Sequence, residues 1–252
     1  MHGFANPARF LRMARWLMPL CLLAGLLLAL PALAWGVGFG PADRLQGDSV
    51  RILYLHVPCA WLGMMGWSGI AVASFTEIVW RHPLAAVAAR ALALPGAVFT
   101  ALCLVTGSLW GRPAWGTWWV WDGRLTSMLV LLFLYFAYMA LAHAADDSQE
   151  GAPARLPAIF GLVGAVNLPI IHYSVLWWNS LHQPPSITAA VISGKSAMAA
   201  DFLVPLLVGT LGFSLLFGGV VLARMRMLLA NAQAEARLRR KAMAATTSTE
   251  AF

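Results

Sequence analysis

Charged side chains are scarce in this sequence. Its 252 residues include only 17 Lys+Arg and 10 Asp+Glu, which is 11% of the chain, whereas 60% are hydrophobic. An ordinary soluble domain carries about 25% charged residues. The scarcity excludes a soluble globular protein and indicates an integral membrane protein.

The few charges leave six long charge-free runs, each of at least 21 residues. A helix needs roughly 20 apolar residues to cross a bilayer, so each run can hold one span. The longest run, 156–194, holds only one, because Asn179, His182 and the Pro184-Pro185 pair interrupt its second half. We therefore predict an all-α integral membrane protein with six transmembrane helices. The predicted spans are 17–37, 53–79, 90–110, 125–145, 156–178 and 200–223.

Long polar segments are lacking as well. The connections between the predicted spans are too short to bury a core of their own, so we predict a single membrane domain over 1–252 with a basic tail over 224–252. This excludes a self-contained ATPase and a nucleic-acid-binding domain, in spite of the net charge of +7. Any function must lie within the spans or on short surface loops.

Cysteine is rare and dispersed, at Cys21, Cys59 and Cys103. No C-x-x-C motif exists, which excludes a thiol-redox pair, a thiolate metal cluster and a C-x-x-C-H site for covalent haem attachment. The sequence also shows no carboxylate pair and no nucleophile-base array. We therefore do not expect an enzyme that works through its own side chains.

Positive charge is distributed unevenly across the predicted membrane. If the N-terminus is cytoplasmic, 12 Lys and Arg side chains fall on the inner side and five on the outer side. Cytoplasmic loops carry the excess of Lys and Arg, so both termini are predicted to be cytoplasmic. The basic tail is then expected to contact lipid headgroups, or alternatively a cytoplasmic partner. The five outer charges are Arg44, Arg51, Arg112, Arg124 and Lys195.

The first predicted span has an alternative interpretation as a cleaved signal peptide. Three arginines precede the apolar stretch Leu17–Leu30, and Ala32-Leu33-Ala34 has the form of a cleavage site. Cleavage would leave five spans and an external N-terminus without changing the later loops. A membrane span is favoured, because the apolar run continues as far as Phe39.

Tryptophan is concentrated in one connection. Five of the 12 tryptophans lie in the segment 110–121, between the third and fourth predicted spans. Tryptophan favours membrane interfaces, but an interfacial belt needs only one or two at each helix end. We therefore predict that 111–124 is an external loop that binds a large, flat, apolar ligand. Gly111, Pro113 and Gly116 are expected to break the helix there.

Two histidines are predicted to reach the same membrane face as the tryptophans. His56 opens the second span, and His182 lies four residues beyond Trp178, just after the fifth span. Neutral imidazole is a common axial ligand of haem iron. The pair is thus predicted to be a haem-iron site, while His172 is expected to have a structural role.

Charged residues near the histidines complete the predicted site. Haem carries two propionates, which favour arginine partners, and Arg51, Arg112 and Arg124 are all on the outer side. Asp122 is the only acid in the tryptophan-rich loop, and we expect it to pair with an arginine or to cap the helix that follows.

Several motifs resemble those of a known family. WGTWWVWDGRLTS (115–127) is similar to the tryptophan-rich "WWD" signature of haem-handling membrane proteins. LYLHVPCAW, NLPIIHYS and WWNSLHQP, together with the six-span length, resemble the haem exporter protein C family (CcmC) of cytochrome c maturation. The resemblance runs from about Trp35 to Met227. Larger relatives that attach haem to apocytochrome have many more spans and fit less well.

The resemblance implies a haem-delivery subunit of the bacterial inner membrane, with its functional loops in the periplasm. Its partners would be the haem chaperone CcmE and, within a haem export complex, an ABC-type ATPase, a second membrane subunit and a small membrane subunit. The haem would be b-type, non-covalently bound and transient. By motif, His56 and His182 would be the axial ligands. The platform for haem and chaperone would comprise Trp115, Trp118, Trp119, Trp121 and Asp122.

The resemblance includes two more positions and has one limit. Arg51 and Pro58 flank the first histidine at positions that the family pattern shares. Some relatives carry an acidic residue where Met128 and Leu176 stand here, so no role of those acids is transferred.

Two other functions remain open from the residues alone. A generic ABC permease subunit for a small amphipathic solute would need polar residues buried in the middle of its spans, and few exist beyond Asn167. A haem-containing electron carrier or quinone oxidoreductase would hold its ligands within the spans, whereas both candidate ligands here are predicted at one boundary.

Overall fold

The fold is helical throughout the part that can be described. The structure is a computed structural model, and it describes residues 6–147, 155–178, 180–182 and 198–249. Within these residues it contains no strand, only one isolated bridge between Asp43 and Gly47. The helices are α1 (Pro7–Phe39), α2 (Leu53–Trp80), α3 (Ala85–Trp115), α4 (Gly123–Asp147), α5 (Leu156–Gly164), α6 (Asn167–Trp177) and α7 (Ala200–Thr249), and a 3-10 helix (Asp48–Ile52) precedes α2.

The prediction of six spans is confirmed. Six helical segments among the described residues are long and apolar enough to cross a membrane, and α5 and α6 together form the fifth. The basic tail continues α7 as one helix, and its side chains from Ala230 to Met243 are exposed. Asn179, Pro184, Pro185 and Lys195 lie outside the described residues.

The third helix extends further than its sequence predicts. Gly111 and Pro113 were expected to break it, but α3 continues through both residues to Trp115. Because Pro113 stands in the last turn, its missing N–H removes only one helical hydrogen bond. The helix ends instead at Gly116, which has a left-handed φ of 79° and donates its amide hydrogen to the Arg112 carbonyl at 3.0 Å. The non-helical part of the predicted 111–124 loop therefore covers only 116–122.

The fifth span is broken at Ala165 and Val166. Pro169 cannot donate to the carbonyl of Ala165, and its ring opposes a regular helix at that turn. The Ala165 carbonyl accepts instead from Leu168 at 3.1 Å, and Asn167 donates its side-chain N–H to the Ser127 carbonyl at 2.9 Å. The break thus ends α5 and anchors the start of α6 to α4, because membrane helices must satisfy their backbone groups internally.

The core is formed where α2 packs between α3, α4 and α5. Trp67 is fully buried there, with edge-to-face contacts to Tyr135 and Phe160 at ring-centroid distances of 5.0 and 6.2 Å. Tyr135 donates its hydroxyl hydrogen to the Gly63 carbonyl at 2.7 Å. This hydrogen bond connects α4 to α2, and His56 of the candidate site lies on the same helix α2.

The first and last helices pack with their backbones close together. A Cβ built on Gly212 of α7 would overlap the backbone nitrogen of Ala29 in α1 and lie 2.8 Å from its Cα. A Cβ on Gly25 would lie 2.7 Å from the backbone nitrogen of Leu216. Small residues allow such approach between membrane helices, where van der Waals packing drives association.

Replacing Gly212 by alanine is expected to destabilise the protein. The added methyl group meets backbone atoms that cannot rotate away, and overpacking of this kind costs about 1–3 kcal/mol. Gly218→Ala is the matched control, because a Cβ at Gly218 meets nothing within 4 Å. Thermal unfolding in detergent should show a lower midpoint for Gly212→Ala only. Equal midpoints for the two variants would contradict the packing argument.

Candidate haem-binding site

Asp122 joins the tryptophan-rich loop to the segment after the fifth span. One carboxylate oxygen, Oδ1, accepts a hydrogen bond from the Leu125 amide at 2.7 Å and so caps the N-terminus of α4. The other, Oδ2, accepts from Ser180 Oγ at 2.7 Å and from His182 Nδ1 at 3.0 Å. The cap was predicted from the sequence, whereas the partner on the second oxygen is a histidine and not an arginine.

The protonation states of this pair follow from its surroundings. Burial raises the pKa of Asp122, but the hydrogen bonds from Leu125, Ser180 and His182 outweigh it, so the net pKa of the carboxyl lies below its usual value. Burial lowers the pKa of His182, and the Asp122 carboxylate offsets this only in part. Near pH 7 the carboxylate is therefore ionised and the imidazole neutral. The Nδ1–H donates to Asp122, so the lone pair of His182 is on Nε2, which has no hydrogen-bond partner among the described residues.

His56 lies against one face of α3. Its Nδ1 is 3.0 Å from Thr106 Oγ1, and its ring meets that of Trp110 edge-on at 5.7 Å. A Cβ on Gly107 would lie only 2.9 Å from His56 Cε1, so the absence of a side chain at Gly107 makes room for the imidazole. Trp110 is itself held by a hydrogen bond from its Nε1 to Gln46 Oε1 at 2.7 Å. The imidazole of His56 thus has neighbours that define its position.

The two histidines share an electrostatic environment. Each imidazole interacts electrostatically with the guanidinium of Arg124. His56 and His182 also interact electrostatically with each other. Arg124 stands at the start of α4, where its Nη2 donates to the carbonyl of His172 at 3.2 Å. His172 therefore contacts the candidate site through its backbone carbonyl, which accepts from Arg124. Its ring packs on that of Tyr173, with a centroid distance of 4.8 Å. The fold brings both candidate ligands and one arginine to the same region.

The other two arginines are engaged in loop contacts. Arg51 donates from Nε to the Gly40 carbonyl at 2.9 Å and pairs with Asp48 at 3.1 Å. These contacts connect the end of α1 to the 3-10 helix before α2. Arg112 donates to the Gly116 carbonyl, and its guanidinium lies 6.0 Å from the ring centroid of Trp118. Both arginines therefore have partners within this chain.

The tryptophans of this region differ in their ring contacts and in their exposure. Trp115 meets the ring of His182 edge-on at 4.8 Å, and Trp119 contacts Trp121 at 5.5 Å. Trp118 and Trp121 are 55% and 75% exposed. The indole N–H of Trp119 is buried and has no hydrogen-bond partner among the described residues. The loop thus carries exposed apolar rings and one buried donor for which the described residues offer no acceptor.

Sequence reasoning missed the residues that orient the two histidines. Thr106, Gly107 and Trp110 recur at the spacing of one helical face, and this periodicity on α3 was the available signal. Ser180 accepts from the His182 amide at 3.1 Å, a local turn that a serine two positions before a histidine permits. The contacts of Thr106 and Ser180 with His56 and Asp122 depend on packing between segments distant in the chain.

Comparison with known proteins gives one family. Residues 1–240 match the model described as CcmC, Heme exporter protein C. Heme exporter protein C of Bradyrhizobium diazoefficiens is 49% identical over 222 residues, covering 88% of this chain and 82% of that protein. Heme exporter protein C of Escherichia coli is 48% identical over 229 residues, covering 91% and 90%. That of Haemophilus influenzae is 44% identical over 227 residues, covering 90% of each. The family resemblance predicted from the sequence motifs is confirmed, and the chain belongs to the Heme exporter protein C family.

Proposed function

We propose that this chain binds haem between His56 and His182 at the outer face of the membrane and presents it for transfer to a haem chaperone. The observation that carries the proposal is the shared arrangement of the two imidazoles. Each has its Nδ1 within hydrogen-bond distance of a fixed oxygen, 3.0 Å to Thr106 Oγ1 and 3.0 Å to Asp122 Oδ2. In each case Nε2 is the nitrogen left for a metal.

The donor set fits haem iron. Metal-bound histidines almost always donate their other ring N–H to a carboxylate, a carbonyl or another acceptor, which orients the ring and makes the coordinating nitrogen more basic. Two neutral imidazoles match the axial positions of an iron whose other ligands come from a porphyrin. The binding would be b-type, non-covalent and reversible, in keeping with a cargo that must be released.

The surroundings of the histidines fit the rest of a porphyrin. The exposed rings of Trp118 and Trp121 offer rigid apolar area. Arg124 supplies a cation, and the unpartnered N–H of Trp119 supplies a donor for an acceptor group on the ligand. Arg51 and Arg112 would reach a propionate only by sharing or exchanging their present contacts.

The family name supports haem export as the wider process, and the partners are part of our proposal. The relatives are named heme exporters. We assign this chain to the bacterial inner membrane with its tryptophan-rich loop in the periplasm and both termini in the cytoplasm. CcmE would accept the haem there. The complex would also contain an ABC-type ATPase, a second membrane subunit and a small membrane subunit, with ATP hydrolysis shifting the affinity of the site for haem.

The ligand assignment predicts the absorbance of the purified protein. Expressed with ample haem and purified in detergent, the wild-type chain should show a Soret band. His56→Ala and His182→Ala should each lose or shift that band, because each removes one axial nitrogen. His143→Ala is the control, since His143 is exposed and lies near the far end of α4. A wild-type protein without a Soret band would overturn the proposed function, and unchanged spectra in both histidine variants would overturn the ligand assignment.

Asp122→Asn is expected to weaken haem binding without unfolding the loop. An asparagine oxygen still accepts from the Leu125 amide, so the cap on α4 persists. Its NH₂ group cannot accept the Nδ1–H of His182, and loss of such a support typically costs a metal site about 10–100-fold in affinity. Haem titration should show this loss.

Asp122→Ala provides the comparison, because it removes the cap as well and should lower stability by about 1 kcal/mol. Wild-type haem affinity in Asp122→Asn would mean that the contact between Asp122 and His182 does not support a ligand.

A further inference from the structure

Hydroxyl groups that bond back to the preceding helical turn are common in this bundle. Thr100 donates to the Gly96 carbonyl at 2.8 Å, and Thr210 donates to the Leu206 carbonyl at 2.7 Å. Such contacts satisfy a hydroxyl inside a membrane helix. Thr106 makes the same contact, donating to the Leu102 carbonyl at 2.7 Å.

Thr106 differs from Thr100 and Thr210 because its oxygen also meets a histidine ring. Oγ1 lies 3.0 Å from His56 Nδ1. A hydroxyl has one hydrogen, and that of Thr106 has two backbone carbonyls within reach, Leu102 at 2.7 Å and Cys103 at 3.2 Å, which can only accept. With the hydrogen donated to a carbonyl, a lone pair of Oγ1 faces His56 and can accept from its ring, which favours the tautomer with the proton on Nδ1.

We propose that Thr106 is a positioning residue for haem coordination: it holds His56 in the Nδ1–H tautomer with Nε2 directed to the iron. This inference rests on the proposed function and deepens it. Thr106 is fixed by its own helix, so the acceptor is in place before any ligand binds. The role parallels that of Asp122 toward His182, with a neutral hydroxyl in place of a carboxylate.

Thr106 provides the hydrogen bond that orients the imidazole of His56. The backbone of Gly107 lies close to His56 Cε1, and Trp110 meets the ring edge-on. Both contacts restrict where the imidazole lies, but neither provides an acceptor for Nδ1–H. The Cys103 carbonyl also faces the imidazole, and Thr106 Oγ1 is the oxygen that lies 3.0 Å from Nδ1. Without the hydroxyl of Thr106, Nδ1–H would lose this hydrogen bond, and the coordinating nitrogen would be less basic.

The test compares Thr106→Val with Thr106→Ser in the full chain in detergent. Valine keeps the shape of threonine and removes the acceptor, whereas serine keeps the hydroxyl. Haem affinity and the reduction midpoint potential of the bound haem are measured for both. Thr100→Val is the matched control, because it removes a back-bonding hydroxyl from the same helix at a site with no hydrogen bond to a histidine. Size-exclusion profiles and thermal midpoints report folding.

The expected result separates chemistry from packing. Thr106→Val should bind haem about 10–100-fold more weakly and raise its reduction potential, because a less basic ligand favours ferric iron less. A tenfold change in the ferric-to-ferrous affinity ratio corresponds to about 59 mV for one electron. Thr106→Ser and Thr100→Val should remain close to wild type.

Two results would overturn the inference. One is an unchanged reduction potential in Thr106→Val. The other is a loss of affinity in Thr106→Ser equal to that in Thr106→Val, because it would mean that keeping the hydroxyl does not preserve haem binding. If instead His56→Ala leaves the haem spectrum unchanged, His56 is not a ligand, and its assignment fails independently of any effect at Thr106; a wild-type protein without a Soret band would overturn the proposed function itself.

Discussion

The carboxylate of Asp122 is the interaction on which the candidate site depends. It accepts three hydrogen bonds, one from the start of α4 and two from residues 180–182. An ionised carboxylate with these partners is stable although it is buried, because its charge is compensated by donors. The same contacts bring His182 beneath the end of α3, where Trp115 lies against its ring. One side chain therefore defines the helix cap, the histidine orientation and the position of the loop.

Polar side chains within the helical bundle also have hydrogen-bond partners inside the protein. In an apolar environment each polar group needs a partner within the protein. Tyr135 satisfies its hydroxyl on the Gly63 carbonyl, Asn167 satisfies its amide on the Ser127 carbonyl, and Thr106 satisfies its hydroxyl on Leu102. The first two bonds connect α4 to α2 and α6 to α4, and the third lies within α3. His56 lies in α2 and contacts α3, and His182 follows α6. Stability and the geometry of the candidate site thus rest on the same elements.

A site of this construction is suited to holding a large ligand for a limited time. One candidate ligand, His56, comes from a packed helix, and the other, His182, comes from a non-helical segment whose described residues form side-chain hydrogen bonds with Asp122. The exposed tryptophans leave much of the aromatic surface accessible. This separation supports the proposal that the chain presents haem to another protein.

The sequence determined by itself what depends on local composition. Gaps between charges located the six spans, because lipid excludes charge from any helix that crosses it. Asp122 could be predicted as a cap, and the motifs pointed to the family. Tertiary structure alone decided what joins distant residues: His182 meets Asp122 across 60 positions, and His56 meets Thr106 across 50. The tertiary structure also showed that α3 continues beyond Pro113 to Trp115. Composition reports which residues prefer lipid, but the partner of a polar side chain depends on how the helices pack.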